Sequence, residues 1–175
     1  FDDDHTGITQ IAWSPDGSRI AYRNPIADER GIFVANADGS EAVRLTDGVN
    51  DGWPSWSPDG TKIAFSSTRH DAGAGPCTSS GDRDLVCPTD IYVMDADGAN
   101  VTRLTSMSGP EYGAAWSPDD TRIAFTHTSR TWNPTAIYVI NADGTEVRQV
   151  SSHDGGSDSL PSWSPDGTQL VFIGF

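Results

Sequence analysis

The sequence has few basic residues and no long apolar run. Acidic side chains outnumber Lys and Arg by 25 to 11, which gives a formal net charge of -14. Phosphate backbones and anionic membrane surfaces are bound by clustered Lys and Arg, so this composition argues against both as partners. No apolar stretch approaches the roughly 20 residues that span a bilayer.

Cysteine is also scarce. Cys77 and Cys87 are the only two, and both lie in one stretch rich in Gly, Ser and Asp. We expect a local disulfide between them, and such bonds persist in oxidising compartments outside the cytoplasm. Two free thiols on a loop are the alternative. A zinc site or a redox C-x-x-C motif is poorly supported, because no matching second pair of cysteines exists.

Two further patterns are missing. The chain begins FDDDHTG without a signal-peptide pattern, so we expect a mature or excised segment if the protein is exported. No G-x-S-x-G motif and no α/β pattern occur, which excludes a peptidase catalytic domain from this sequence. The chain instead contains 18 Gly and 11 Pro, and their spread along the sequence is typical of many short strands joined by turns.

One hairpin motif occurs four times, which is the strongest signal in the sequence. Pro fixes φ, Asp offers a side-chain acceptor and Gly accepts a left-handed conformation, so Ser-Pro-Asp-Gly predicts a tight turn between two strands. Asp120 replaces Gly in the third copy, and Asp tolerates that conformation better than most residues. The four copies are IAWSPDGSRIAY (11–22), PSWSPDGTKIAF (54–65), AAWSPDDTRIAF (114–125) and PSWSPDGTQLVF (161–172).

A second hairpin follows the first three copies, so each repeat predicts a four-stranded sheet. Its copies are GIFVANADGSEAVRLT (31–46), DIYVMDADGANVTRLT (90–105) and AIYVINADGTEVRQVS (136–151). Each sheet is apolar on both faces and needs a neighbour on each side, which indicates a propeller. We expect the motif tryptophans, Trp13, Trp56, Trp116 and Trp163, to fill the space between blades.

The predicted fold is an all-β propeller of four-stranded antiparallel blades, with about three and a half blades present. The predicted blades span 8–46, 53–105 and 113–151, with a half blade at 160–175, and blade two carries an insertion within 66–90. An open ring would expose apolar blade faces. We therefore expect a ring of about six to eight blades completed by a longer chain, or closure by self-association.

The W-S-P-D-G hairpin, the Ile-Ala-Phe strand, Ile-Tyr-Val with Ala-Asp-Gly, and Arg-Leu-Thr together resemble the repeats of the TolB propeller and related extracytoplasmic domains. The resemblance covers nearly the whole chain. It implies a periplasmic, secreted or cell-surface location, and a peptidoglycan-associated lipoprotein as one possible partner. Similar blades occur in prolyl-oligopeptidase-type peptidases, oligogalacturonate lyases and sensor domains of membrane kinases, so the motifs indicate fold more than function.

The irregular segments of the sequence should share one end of the propeller, where loops between blades and between strands two and three emerge. We predict that a protein or peptide binds there. The candidate residues are aromatic or cationic side chains, which often anchor interfaces: Trp53, Arg69, His70, Tyr112, Arg130 and Trp132. The alternatives are that Trp53 and Trp132 cap the blades and that each Arg pairs with a surface Asp.

No catalytic residue, cofactor or metal ligand is assigned. The NADGSE (36–41), DADGAN (95–100) and NADGTE (141–146) segments match a calcium loop only in part, because each lacks the final bidentate Glu. His5, His70, His127 and His153 share no repeat position and are interpreted as lone surface histidines. The sequence favours a non-catalytic binding module. A metal-dependent polysaccharide lyase-like propeller and a structural module that assembles through open propeller ends are the alternatives.

Overall fold

The described part of the chain folds into short antiparallel strands with one turn of 3-10 helix at Ala27–Glu29. The computed structural model describes residues 9–48, 50–69, 78–79, 85–86, 88–129, 134–152 and 156–175. None of them belongs to a helix long and apolar enough to cross a membrane. The strands are β1 Thr9–Trp13, β2 Arg19–Asn24, β3 Gly31–Asn36, β4 Val43–Arg44, β5 Gly52–Trp56, β6 Lys62–Ser67, β7 Thr78–Ser79, β8 Leu85–Val86, β9 Asp90–Asp95, β10 Thr102–Arg103, β11 Glu111–Trp116, β12 Arg122–Thr128, β13 Thr135–Asn141, β14 Arg148–Gln149, β15 Asp158–Trp163 and β16 Leu170–Gly174.

Three four-stranded sheets and one hairpin stand side by side as blades. Blade 1 contains β1 to β4, blade 2 contains β5, β6, β9 and β10, blade 3 contains β11 to β14, and blade 4 contains β15 and β16. A separate two-stranded sheet, β7 with β8, lies in the insertion between β6 and β9. The innermost strands β1, β5, β11 and β15 contact one another in that order. The predicted all-β propeller, present as an open and partial ring, is confirmed.

Ser-Pro-Asp-Gly forms the predicted turn through its own side chains. In blade 1, the Ser14 hydroxyl donates to Asp16 Oδ1 at 2.7 Å and accepts from the Arg19 amide at 2.9 Å. The Ser18 amide also donates to Asp16 Oδ1, at 3.0 Å. These bonds hold the pKa of Asp16 at about 2, well below its usual value, the amide of Ser18 being the largest cause. Asp120 has φ +59°, which confirms that an aspartate takes the left-handed turn position.

The Arg-Leu-Thr ending of blades 1 and 2, and the Gln-Val-Ser ending of blade 3, close each sheet from its outer edge. The Ile32 amide donates to the Thr46 hydroxyl at 2.9 Å, and Arg44 Nε donates to the Thr46 carbonyl at 2.9 Å. Thr105 and Ser151 accept the matching amides in blades 2 and 3. The Thr46 carbonyl lies so close to Gly31 that a Cβ there would meet it at 2.0 Å. The sequence pattern therefore encodes a side-chain clamp as well as a strand.

Each hydrophobic core lies between two blades. The back face of a blade carries small and branched side chains, such as Ala64, Ile91 and Val93 in blade 2. The front face of the next blade covers them with its motif Trp and its aromatic strand residues. Trp56 and Trp116 are buried as predicted, but Trp13 is 60% exposed because no described blade packs on the front face of blade 1.

Candidate functional site

The antiparallel order of each blade separates the connections into two ends. Both hairpin turns lie at one end, the turn end, which contains 14–18, 36–41, 57–61, 95–100, 117–121, 141–146 and 164–168. The opposite, loop end contains the described parts of 25–30, 45–51, 68–89, 104–110, 129–134 and 150–157. All irregular connections between described strands therefore fall at the loop end.

A β-bulge recurs at the loop end of every innermost strand. The residue three before each motif Trp has a positive φ: Gln10 at 54°, Trp53 at 54°, Gly113 at 65° and Leu160 at 54°. The strand register shifts at each of these positions. We call this the bulge position. A bulge bends the strand and re-aims a side chain, and a positive φ in a non-glycine residue costs on the order of 1 kcal/mol.

Hydrogen bonds and packing hold these bulges in place. The Trp53 amide donates to Gln10 Oε1 at 2.7 Å, which joins blades 1 and 2. The Leu160 amide donates to Thr126 Oγ1 at 2.9 Å, which joins blades 4 and 3. A Cβ at Gly113 would lie 3.1 Å from Leu160 Cδ2. The bulge positions therefore connect neighbouring blades around the inner edge of the loop end.

Two of the predicted binding residues meet at this edge. The rings of Trp53 and Tyr112 lie with centroids 5.7 Å apart, tilted by 40°. Both side chains are half-buried, so part of each ring faces solvent. Burial raises the pKa of the Tyr112 phenol. The structure thus forms an aromatic pair across the junction of blades 2 and 3.

Arg69 is partly buried, and its guanidinium has several protein partners. Its Nη2 donates to Asp51 Oδ2 at 2.7 Å, and its Nε donates to the Ser67 hydroxyl at 3.0 Å. The guanidinium carbon lies 4.8 Å from the Phe65 ring centroid and 5.2 Å from that of Tyr92. Arg69 therefore lies over the edge of the blade 2 core and pairs with a buried carboxylate. Five predicted residues lie outside the described part of the chain. They are the binding candidates His70, Arg130 and Trp132 and the expected disulfide pair Cys77 and Cys87.

Three buried acids at one repeat position were not identified from the sequence. Asp51, Glu111 and Asp158 each precede the motif Trp by five residues, and each is at most 1% exposed. The Thr105 hydroxyl of blade 2 donates to Glu111 Oε2 of blade 3. Glu111 Oε1 lies 3.7 Å from His127 Nδ1. Their shared distance from the motif Trp is the sequence signal that could have identified them. The variable spacing of the surrounding loop residues obscured it.

His127 corrects the interpretation of all four histidines as surface residues. It is 9% exposed and packs edge-on against the Tyr138 ring, with centroids 5.3 Å apart.

No group of three or more His, Cys, Asp and Glu side chains that could hold a metal ion occurs among the residues the structure describes. In the calcium-like segments, Asp38, Asp97 and Asp143 each accept the amide two residues ahead, which is an ordinary Asx turn.

A groove of about 530 Å³ lies along the inner edge of the blades near the turn end. The groove is lined in every blade by the motif Trp and by the Pro two residues after it. The small residue before the Trp also lines it in blades 2, 3 and 4, but Ala12 of blade 1 does not. The lining residues are Trp13, Pro15, Ser55, Trp56, Pro58, Ala115, Trp116, Pro118, Ser162, Trp163 and Pro165. These residue types repeat because they build the blades, so the groove is a consequence of the repeat.

Comparison with known proteins gives consistent matches. The family model described as the TolB beta propeller domain matches residues 84–174. A protein TolB homolog from Chlorobium luteolum is 29% identical over 126 residues, which cover 70% of this chain and 24% of that protein. The structure of putative TolB from Agrobacterium tumefaciens is 28% identical with a TM-score of 0.75, over 96% of this chain and 55% of that one. TolB from Acinetobacter baumannii is 22% identical with a TM-score of 0.72, over 95% and 37%.

The chain spans about a quarter of the length of the Chlorobium relative and about half of the Agrobacterium structure. An oligogalacturonate lyase structure from Vibrio parahaemolyticus is 17% identical with a TM-score of 0.53. At that identity the similarity concerns the fold alone, because unrelated functions share such propellers.

Proposed function

The chain belongs to the TolB beta propeller domain family, and from this premise we propose that it is a non-catalytic module that binds a protein or peptide through its loop end. The observation that carries the proposal is the half-exposed pair of Trp53 and Tyr112 at the junction of blades 2 and 3. Aromatic side chains on a rigid surface are frequent anchors of protein interfaces, because they bury much apolar area at low entropic cost.

Comparison of the repeats separates constant structural positions from variable positions at this edge, which supports the proposal. Scaffold positions keep one residue type in all blades, as the motif Trp and its following Ser-Pro-Asp do. The bulge position keeps its backbone conformation in every blade, yet it carries Gln10, Trp53, Gly113 and Leu160. A constant backbone with a changing side chain is the arrangement expected of a surface that presents different groups to a ligand.

The aromatic pair is held in place before any ligand arrives. The Trp53 backbone is fixed by the bulge and by the bond from its amide to Gln10 Oε1. Tyr112 is fixed on β11, where it pairs with Thr126 of β12. Preorganised anchors lower the entropy lost on binding, so we expect the two rings to contribute as a unit.

A peptide-library selection on the immobilised chain tests this proposal. A selected peptide is titrated by calorimetry against the Trp53→Gly and Tyr112→Ala variants. We expect each variant to bind the peptide at least about tenfold more weakly, the loss expected for an interface anchor. Glycine at residue 53 removes the ring but accepts φ 54° without strain, so weaker binding cannot be attributed to a strained backbone.

Glu146→Gly is the matched control, because Glu146 also has a positive φ, 55°, and lies at the turn end. It should relieve the same backbone strain and leave peptide affinity unchanged. If Trp53→Gly and Tyr112→Ala bind the selected peptides as tightly as the unmodified chain does, the aromatic pair is not the binding site and the proposal fails.

We also propose that the module works outside the cytoplasm. The support is the family membership together with the expected Cys77–Cys87 disulfide, which persists in oxidising compartments. Intact mass spectrometry of the chain after alkylation checks this directly. We expect no alkylation before reduction and two alkylated thiols after reduction, and two reactive thiols without reduction would contradict the disulfide.

A further inference from the structure

A cationic side chain lies beside Trp53 at the inner edge of the loop end. Arg23 is on β2 of blade 1 and is half-buried. A Cβ at Gly52 of blade 2 would lie 3.1 Å from Arg23 Cδ. Gly52 directly precedes Trp53, whose amide donates to Gln10 Oε1 at 2.7 Å. The Arg23 side chain therefore packs across the junction of blades 1 and 2, next to the Trp53 backbone.

The repeats show that a blade does not need an arginine at this position. In the strand register, Arg23 on β2 holds the position of Ser66 on β6 and Thr126 on β12. Thr126 is structural there, because its hydroxyl accepts the Leu160 amide of the next blade at 2.9 Å. Arginine donates hydrogen bonds but cannot accept them. In blade 1 the side chain of Gln10 accepts the equivalent amide instead, so Arg23 does not perform this structural role.

Arg23 also has no partner within the described part of the chain. It makes no hydrogen bond, ion pair or ring contact with any residue that the structure describes. Most other basic residues pair with a carboxylate, lie over an indole or bind a backbone carbonyl, as do Arg19, Arg44, Lys62, Arg69, Arg103 and Arg122. A half-buried cation has lost part of its hydration. A carboxylate beside it therefore gains a stronger interaction than it would in bulk water.

We propose that Arg23 binds a carboxylate of the partner, so that the loop end recognises an acidic side chain next to a large apolar one. This inference rests on the proposed function, because it specifies the chemistry of the ligand that Trp53 and Tyr112 anchor. A guanidinium forms two parallel hydrogen bonds with a carboxylate. The apolar neighbour of the acid packs on the aromatic pair.

The carboxylate belongs to an Asp or Glu side chain of the partner rather than to its C-terminus. Backbone amides commonly capture a terminal carboxylate. The bulge amides of Trp53 and Leu160 already donate to Gln10 and Thr126. The donors that remain beside Gly52 are those of a single guanidinium, which suits the carboxylate of a side chain.

The acid closest to this position in the sequence does not neutralise Arg23. Asp51 directly precedes Gly52, but it is buried and forms its ion pair with Arg69 at 2.7 Å. The net charge of -14 opposes the approach of an acidic peptide at long range. Because salt screens long-range repulsion more than a partly buried pair, we expect binding to persist at physiological ionic strength.

A random peptide library fused through its C-terminus, which leaves no terminal carboxylate, is selected on the immobilised chain at about 0.15 M salt. We expect Asp or Glu to be enriched beside an aromatic or large aliphatic residue. Each selected acidic peptide is synthesised with its acid and with the corresponding amide. Both forms are titrated by calorimetry against the unmodified chain and the Arg23→Gln variant.

Replacement of the acid by its amide should weaken binding to the unmodified chain about tenfold, as expected for a partly desolvated charge pair. The same replacement should change the affinity for Arg23→Gln little, because the pair is already broken. Arg23→Lys keeps the charge but not the two parallel donors, so its affinity should lie between the two. Equal losses on the unmodified chain and on Arg23→Gln overturn the proposal.

Arg148→Gln is the matched control, because Arg148 is an exposed arginine on β14 of blade 3. It makes the same change in net charge and should bind both peptide forms as the unmodified chain does. A similar loss in Arg148→Gln and Arg23→Gln would mean that total charge, not a local contact, is measured, and this also overturns the proposal. The urea midpoint of Arg23→Gln should stay unchanged, because no partner in the described chain is lost.

The outcomes separate this inference from the proposed function. If Trp53→Gly weakens binding but the selected peptides lack a required acid, the loop end binds peptides and Arg23 is not its anion site. If the acid depends on Arg23 while Trp53→Gly and Tyr112→Ala bind normally, the anion site stands and the aromatic anchor fails. If no peptide is selected, both proposals fail.

Discussion

Gly31 shows how one residue position depends on a contact made far along the chain. Its φ is +143°, and a Cβ there would lie 2.0 Å from the carbonyl of Thr46. We predict that Gly31→Ala destabilises the fold by more than about 3 kcal/mol, because the outer strand β4 would have to move. Urea unfolding measures the loss.

Gly39 is the control for this change. It also has a positive φ, +83°, but a Cβ there would meet nothing within 4 Å. Gly39→Ala should therefore cost only the left-handed backbone penalty of about 1 kcal/mol. Equal losses in the two variants would contradict the steric explanation for Gly31.

Neighbouring aspartates in the third Ser-Pro-Asp turn should respond to pH in opposite directions. Bonds from Ser117 and Thr121 lower the pKa of Asp119 to about 2, so its ionised form stabilises the fold above pH 3.8, and this is lost as pH falls toward 2. Burial raises the pKa of Asp120, opposed in part by the Asp59 amide. Its folded carboxyl binds the proton more tightly, so stability is lost as pH rises through 3.8 to the folded pKa.

The Asp119→Asn and Asp120→Asn variants test these signs by urea unfolding from pH 7 to pH 2. At pH 7, Asp119→Asn should be less stable than the unmodified chain and Asp120→Asn more stable. Both differences should shrink in acid, where the carboxyls are protonated. Asparagine tolerates the left-handed conformation at residue 120, so backbone strain does not confuse the comparison. Two variants that change stability in the same direction would contradict the assignment.

At the scale of elements, the repeat predicted turns well and strand irregularities poorly. The Ser-Pro-Asp-Gly turn was predictable because its acceptors and its left-handed residue are local. The bulge at Gln10, Trp53, Gly113 and Leu160 was not, since four unlike side chains share one conformation that neighbouring blades impose. Arg69 was predicted as an exposed anchor, whereas its partner Asp51 is buried in the preceding connection. That pairing depends on tertiary structure and leaves no local pattern.

The Thr that ends blades 1 and 2 links elements within its blade, and Thr105 also links two blades, which gives a further prediction. Thr105 accepts the Ile91 amide at 2.8 Å and also donates to Glu111 of blade 3. Thr46 accepts the matching Ile32 amide. Thr46→Val should cost about 1 to 2 kcal/mol, from the buried amide that loses its acceptor.

Thr105→Val should cost about 1 kcal/mol more than Thr46→Val, because the Glu111 carboxylate also loses a donor. Thr105→Ser keeps the hydroxyl and should retain most of the stability. Urea unfolding of the three variants measures these differences. Equal costs for the two valine variants would show that the bond between blades contributes nothing to stability.

At the scale of the whole molecule, the acidic charge of the described residues is concentrated at one end. Eleven acidic side chains and three basic ones, Arg19, Lys62 and Arg122, lie in or directly beside the turns. The rest of the described chain has seven acids and six arginines. The turn-end acids are Asp16, Asp38, Glu41, Asp59, Asp95, Asp97, Asp119, Asp120, Asp143, Glu146 and Asp166. The composition predicted only the total net charge. Its distribution could not be predicted from composition, because the topology decides which turns lie at the same end.

This arrangement predicts that salt stabilises the fold. Repulsion among exposed like charges is screened when the Debye length falls from about 30 Å at 0.01 M to about 10 Å at 0.1 M. The urea midpoint should therefore rise with sodium chloride. A falling midpoint would mean that the described ion pairs, such as Lys62 with Asp95, outweigh the repulsion. Asp97→Asn keeps an acceptor for its turn and should raise the midpoint at low salt. Asp28→Asn, at the loop end, where the described acids and arginines nearly balance, should change it less.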